Sequence, residues 1–245
     1  MSLRALKNLH DGLARAAPGD DEATREALRR LGPLPADPRV LDLGCGPGRS
    51  TLALAAALPT ARIDAVDLHA GFLAHLARIA AEFAGRIVPR VADFGALDDA
   101  PASVDLIWSE GAIYHLGFAE GLRRWRPLLR PHGRLAVTEL TWRLPPDQRP
   151  AEAVAFWHEA YPAMTSVAAN LAAAESAGYA VIDNFTLPAR AWIKYYDPLI
   201  ARADALADTS DPELAAVIAV TRREVDLWRR HGDSYDYVFY LLRPA

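Results

Sequence analysis

The ten residues Arg39-Val40-Leu41-Asp42-Leu43-Gly44-Cys45-Gly46-Pro47-Gly48 decide how the chain folds. Arg39 to Leu43 is a short apolar run of strand length, and the five residues after it hold three glycines and a proline. Arg49 to Leu58 has helical composition and stops at Pro59. Strand, glycine-rich turn and helix in that order place backbone N–H groups and a helix N-terminus at the carboxyl edge of a sheet, where such folds take their ligands.

The same alternation continues on the C-terminal side. Strands are expected at 62–66, 86–92, 104–108 and 133–140, with helices at 71–83 and 117–129 between them. No hairpin turn chemistry separates the strands, so they are expected to run parallel through right-handed crossovers, giving a doubly wound α/β sheet. Past Leu140 the pattern changes to a Pro-rich stretch (142–150), helices at 151–160 and 166–177, a strand at 179–187, a helical region at 190–231 and a last strand at 234–242. This fits a mostly parallel sheet closed by an antiparallel last strand. Upstream, a helix starting at Asp20 or Asp21 is expected to act as a lid or packing helix.

The chain is read as one domain, 1–245. Residues 1–141 form the ligand-binding half, completed by 166–188 and 234–245, and 142–165 with 189–233 form a helical cap over an acceptor site.

Composition narrows the function. The 245 residues are 51% hydrophobic and 24% charged, with 27 Lys and Arg against 31 Asp and Glu, as in an ordinary globular chain. A net charge of -4 argues against nucleic acid as the main partner. The single cysteine, Cys45, forms no internal disulfide, and the first residues lack a secretory apolar stretch, so a cytoplasmic setting is expected. No segment has the roughly 20 apolar residues of a membrane helix, so no membrane partner is expected.

The turn at 44–48 is not a dinucleotide fingerprint, because Arg49 stands where the third glycine belongs, and it is not a P-loop, because no Gly-Lys-Ser/Thr follows. An acid, Asp42, precedes it. A carboxylate there would repel a pyrophosphate and suits a ligand bearing an ammonium or sulfonium group. Asp67 ends the second strand, where an acid can accept both hydroxyls of a ribose. Asp93 and Phe94 follow the third strand and pair an acceptor for an exocyclic amine with an aromatic flank.

With VLDLGCGPG (40–48), AVDL (65–68), VADF (91–94), DLIWSEG (105–111) and LLRPHGRLAVTE (128–139), the chain resembles the class I S-adenosylmethionine-dependent methyltransferases over residues 39 to 140. The resemblance implies a Rossmann-like core with S-adenosylmethionine as cofactor and S-adenosylhomocysteine as product. It assigns the cofactor to Asp42, Gly44, Cys45, Gly46, Gly48, Asp67, Leu68, Asp93 and Phe94, with Ser109 and Glu110 at the fourth strand end beside the methyl.

Just past that strand, His115 and Tyr114 are the candidates for taking a proton from the acceptor or orienting it. Positioning alone lowers much of the barrier to an in-line displacement, so a base is optional. Cys45 reads as a small buried turn residue. Arg25 could reach the cofactor carboxylate but reads better as a solvated helix face. Trp142, Phe156, Trp157, Tyr161, Trp192, Tyr195 and Tyr196 are expected to build the cap, some of them lining an apolar acceptor pocket.

The reading that results is methyl transfer to a small organic acceptor, by a monomer or homodimer and without a metal. Two alternatives stay open: a protein that binds S-adenosylmethionine without transferring the methyl, and a nicotinamide-dependent oxidoreductase.

Overall fold

A computed structural model describes residues 2–83 and 85–245. The order is α1 (Leu3–His10), α2 (Asp21–Leu31), β1 (Arg39–Leu43), α3 (Arg49–Ala57), β2 (Arg62–Asp67), α4 (Ala70–Ile79), β3 (Ile87–Val91), β4 (Val104–Ser109), α5 (Phe118–Trp125), β5 (Leu129–Trp142), α6 (Ala151–Ala160), α7 (Val167–Ser176), β6 (Tyr179–Thr186), α8 (Ala189–Ala205), α9 (Pro212–His231) and β7 (Tyr235–Pro244). The sheet has seven strands in the order β3-β2-β1-β4-β5-β7-β6. The first five strands pair in parallel with one another, and β7 runs antiparallel to both β5 and β6. This is the Rossmann-like doubly wound fold with an antiparallel last strand, and the strand order reverses direction between β1 and β4.

Period-two alternation explains how the sheet is covered. Val40, Ile63, Ala65, Leu106, Trp108, Ala136 and Phe239 pack on one face with Ala27 and Leu31 of α2, Leu54 of α3 and Leu76 of α4. Their chain neighbours Leu41, Val66, Ile107, Val137 and Tyr240 pack on the other face with Leu122 and Trp125 of α5 and Ala174 of α7.

A third cluster stands beyond the carboxyl end of β5. Leu140 and Trp142 join Phe156 and Trp157 of α6, Trp192 and Leu199 of α8, Leu214 and Val217 of α9, and Ala5 and Leu9 of α1. The helical region read at 190–231 is two helices: Asp211 caps α9, its carboxylate accepting from the Glu213 amide at 3.0 Å, and Pro212 begins it. α5 stops at Trp125, ahead of Arg126-Pro127. No helix among the described residues is long and apolar enough to cross a membrane.

The amino-terminal edge of the sheet is closed by charge. Arg39 reaches Asp64 at 3.0 Å and also pairs with Asp99, which takes Arg90 as well at 2.6 Å. Burial opposes ionisation of Asp99, but the hydrogen bonds from Arg90 and Arg39 outweigh it and hold its carboxyl below the ordinary value. A depressed carboxyl contributes stability above its unfolded pKa and loses it as pH falls through the folded one. Asp99→Asn should therefore lower stability at pH 7 by about 2 kcal/mol in urea titrations, with the gap to the parent closing below pH ~4. A gap unchanged by acid would contradict this assignment.

Candidate active site

The site is built where β1, β2, β3 and β4 end. The carbonyl of Val66, near the end of β2, accepts from the amides of Gly44 (2.8 Å) and Cys45 (3.1 Å), which folds the glycine turn against its neighbouring strand. Gly44 and Gly48 have φ of 71° and 95°. A Cβ on Gly44 would stand 2.3 Å from the Ala112 methyl, and one on Gly48 would stand 2.3 Å from Leu76 Cδ1. The first glycine thus admits the loop after β4, and the last lets α3 begin close against α4.

Asp67 is fixed from two directions. Its Oδ2 accepts from the Gly46 amide at 2.9 Å and its Oδ1 from the His69 amide at 2.7 Å, which leaves each oxygen a lone pair for another donor. Leu68 beside it is 64% exposed, an apolar surface with no covering side chain. Asp93 Oδ1 accepts from the Gly95 amide at 2.7 Å. Phe94 is buried with its ring edge against Trp125, and its carbonyl accepts from the Trp125 indole at 2.9 Å.

Glu110 is the most heavily wired residue. Oε1 accepts from the Thr24 hydroxyl (2.7 Å) and the Trp108 indole (2.9 Å), and Oε2 faces Arg15 at 3.3 Å. Arg15 also holds Asp21 at 2.9 Å, and Asp21 in turn takes the guanidinium of Arg49. The segment before α2 is thereby strapped across the end of β4 and the start of α3.

These parts enclose a cavity of about 500 Å³. Gly44, Cys45, Gly46, Asp67, Leu68, Asp93, Phe94, Glu110, Tyr114 and His115 all border it. Asp42, Gly48 and Ser109 do not. Asp42 lies buried beneath the turn, accepting from Thr51 at 2.6 Å and Ser50 at 3.4 Å, and the Ser109 hydroxyl donates to the Leu43 carbonyl at 2.9 Å, pinning β4 to β1.

The sequence reading missed the N-terminal wall, formed by Leu6, Lys7 and His10 of α1 and by residues 14–18. Arg25 is exposed and away from the cavity, while Arg15 borders it. A residue in an aperiodic stretch such as 14–18 gives no sign of which way it faces. A capping serine, Ser2, before an apolar Ala5/Leu9 spacing was the available signal for α1.

None of the seven cap aromatics is among the residues bordering the cavity. All except Tyr161 are buried, because together they form the third cluster. Two of them touch the wall from behind. Tyr161 sets its ring edge against Tyr114 (centroids 5.9 Å apart), and the Tyr195 hydroxyl lies 2.9 Å from His10 Nε2. His10 Nδ1 lies 2.9 Å from the Leu6 carbonyl, which only accepts, so Nδ1 carries the proton and Nε2 accepts from Tyr195.

Burial pushes the Asp42 carboxyl up to about 7; the bonds from Thr51 and Ser50 oppose this, and the charges of Glu110 and Asp67 reinforce it. Burial also pushes the Tyr114 hydroxyl up to about 12, helped by the charges of Glu224 and Glu139. His115 is held below the ordinary imidazole value by burial, with the Asp67 charge pulling the other way. At pH 7 Tyr114 is therefore a hydrogen-bond donor and His115 a neutral imidazole.

The Asp42 shift has a stability consequence. The folded chain keeps this proton up to about pH 7, whereas an unfolded aspartate releases it near 3.8, so Asp42 costs the unliganded protein stability as pH rises through that window. Asp42→Asn keeps an acceptor for Thr51. The variant should gain stability over the parent progressively between about pH 4 and pH 7, reaching roughly 1–3 kcal/mol. Melting curves that show no gain at pH 8 would contradict a buried, costly carboxylate.

Residues 40–133 match the family model described as a methyltransferase domain. A trans-aconitate 2-methyltransferase from Variovorax paradoxus is 38% identical over 139 residues, 56% of this chain and 52% of that protein. A malonyl-[acyl-carrier protein] O-methyltransferase from Methylococcus capsulatus is 40% identical over 135 residues, 53% of this chain and 46% of that protein. The chain thus spans about half the length of the curated relatives it matches. A solved SAM-dependent methyltransferase from Geobacter sulfurreducens, in complex with S-adenosyl-L-homocysteine, superposes with a TM-score of 0.83 at 22% identity, covering 100% of this chain and 99% of that one. That likeness extends the shared fold to the whole chain. Residues 40–133, the stretch similar to a methyltransferase domain, supply the strand-end side of the cavity.

Proposed function

We propose that the chain is an S-adenosylmethionine-dependent methyltransferase acting on a small organic acceptor. The observation that carries this reading is Asp67, whose carboxylate is fixed by the Gly46 and His69 amides at the rim of the cavity with acceptor capacity to spare. A carboxylate so held suits the paired hydroxyls of a ribose. A nicotinamide-dependent reading is disfavoured by Arg49, which occupies the third-glycine position and pairs with Asp21.

S-adenosylmethionine supplies an electrophilic methyl group on a positively charged sulfur. The chain's residues do the rest. The backbone of Gly44, Cys45 and Gly46 lies alongside the methionine part, Leu68 and Phe94 flank the adenine and Asp93 accepts from its amine. Glu110 faces the ammonium and Arg15 the carboxylate of the methionine part, so the ion pair between them exchanges for pairs with the ligand. Asp42, held by Thr51 and Ser50 under the turn, supports it from below, while Gly48 and Ser109 hold its shape.

Tyr114 and His115 stand at the acceptor end, Tyr114 donating a hydrogen bond and His115 able to accept one. We place the helical cap, 142–165 with 189–233, over that end. α1 and residues 14–18 close the cavity from the other side and keep out water, which would weaken every charge interaction within it. The relatives' names, trans-aconitate and malonyl-[acyl-carrier protein], support an acceptor other than nucleic acid. Their similarity covers a little over half of this chain.

Titration calorimetry with S-adenosylhomocysteine tests the assignment. The parent should bind one equivalent, and Asp67→Ala should bind at least 10-fold more weakly, a loss of about 1.5–3 kcal/mol for a hydrogen bond to a charged group. Equal affinity in the two proteins would overturn the ribose role of Asp67.

A further inference from the structure

The cavity's carboxylates, Asp67, Asp93 and Glu110, all come from the strand ends. The wall built from α1 and the turn after β4 presents Lys7, His10 and Tyr114. His10 Nε2 is occupied by the Tyr195 hydroxyl, so the donors left on this wall are the Lys7 ammonium and the Tyr114 hydroxyl.

Lys7 is the unusual member. It is half-buried in the last turn of α1. The other long cations at the cavity, Arg15 and Arg49, are both tied to Asp21, whereas Lys7 makes no ion pair among the described residues. The chain has only two lysines, and the second, Lys194, lies 3.8 Å from Asp20. Glu139 and Glu224 lie behind the wall and do not border the cavity. Glu224 accepts from the Tyr196 hydroxyl at 2.8 Å, and burial pushes the Glu139 carboxyl up to about 7, which weakens its charge near neutral pH.

We propose that Lys7 determines acceptor specificity by holding one carboxylate of a small dicarboxylic acid while the other carboxylate takes the methyl group. The proposal rests on the methyl-transfer reading above. A lysine is a compact point charge on a flexible stem, suited to gripping a free carboxylate without a fixed fork geometry. In the transfer, a lone pair on the free carboxylate oxygen forms the new O–C bond. The C–S bond breaks with its electron pair staying on sulfur, and one negative and one positive charge are annulled. No proton leaves the acceptor, so the reaction needs no general base. The site agrees: Tyr114 is a donor, and among the described residues no side chain hydrogen-bonds the His115 ring to orient it.

The test uses the full chain saturated with S-adenosylhomocysteine, titrated with succinate or glutarate and, as a charge-reversed control, 1,4-diaminobutane, with thermal stabilisation as the readout. With S-adenosylmethionine in its place, release of S-adenosylhomocysteine gives KM and kcat. The diacids should stabilise the parent and the diamine should not. Lys7→Gln should weaken diacid binding and raise KM about 10-fold, with S-adenosylhomocysteine affinity unchanged within twofold, and Lys7→Arg should recover most of the loss.

Three results would overturn the proposal while leaving the cofactor site standing: no diacid effect on a parent that binds S-adenosylhomocysteine, equal diacid binding by Lys7→Gln, or preference for the diamine. A fall in S-adenosylhomocysteine affinity in Lys7→Gln would move Lys7 to the cofactor and overturn it too. A parent that binds no S-adenosylhomocysteine would overturn both readings.

Discussion

The arrangement depends on how the end of β2 grips the turn after β1. Val66 and Asp67 are consecutive, so their backbone and side chain act on the turn at neighbouring points, the Val66 carbonyl on the amides of Gly44 and Cys45 and the Asp67 carboxylate on that of Gly46. Parallel pairing of β1 with β2 brings the two ends level, and the left-handed backbone of Gly44 lets the turn come close enough. Release of that grip would free the turn, Asp67 and the approach of Ala112 together, because the loop after β4 packs where a Gly44 side chain would be.

Charge is divided across the sheet in a way that follows from this geometry. At the amino edge, Asp64, Asp99 and Asp105 are neutralised by Arg39, Arg90 and Arg130. At the carboxyl edge, Asp42 and Asp67 have no arginine partner among the described residues, and Glu110 has one at 3.3 Å. Burying an unpaired carboxylate costs free energy, which is why burial pushes the Asp42 carboxyl up. A cationic ligand offsets that cost, so the same feature favours a sulfonium over a phosphate.

The doubly wound sheet and most of the strand-end side of the cavity could be read from the sequence, because short apolar strands, the glycine turn and acids at strand ends are local signals. Asp67, Asp93 and Glu110 fall where their strand positions put them. What escaped was set by long-range packing. Arg15 faces the cavity because the strap before α2 crosses the end of β4, and α1 forms a wall because Ala5 and Leu9 bury against α8 and α9. The cap aromatics could not be told apart as core or lining, since both roles ask for the same residue types. The tertiary structure places six of the seven in the core and leaves Lys7, His10 and Tyr114 at the surface of the cavity.

A crystal structure of the chain with S-adenosylhomocysteine bound tests the central claim most directly. The account predicts both ribose hydroxyls within hydrogen-bond distance of the Asp67 carboxylate, the adenine beside Phe94, and the sulfur opening toward Tyr114 and Lys7. A ligand bound elsewhere, or bound in this cavity with its ribose away from Asp67, would contradict it.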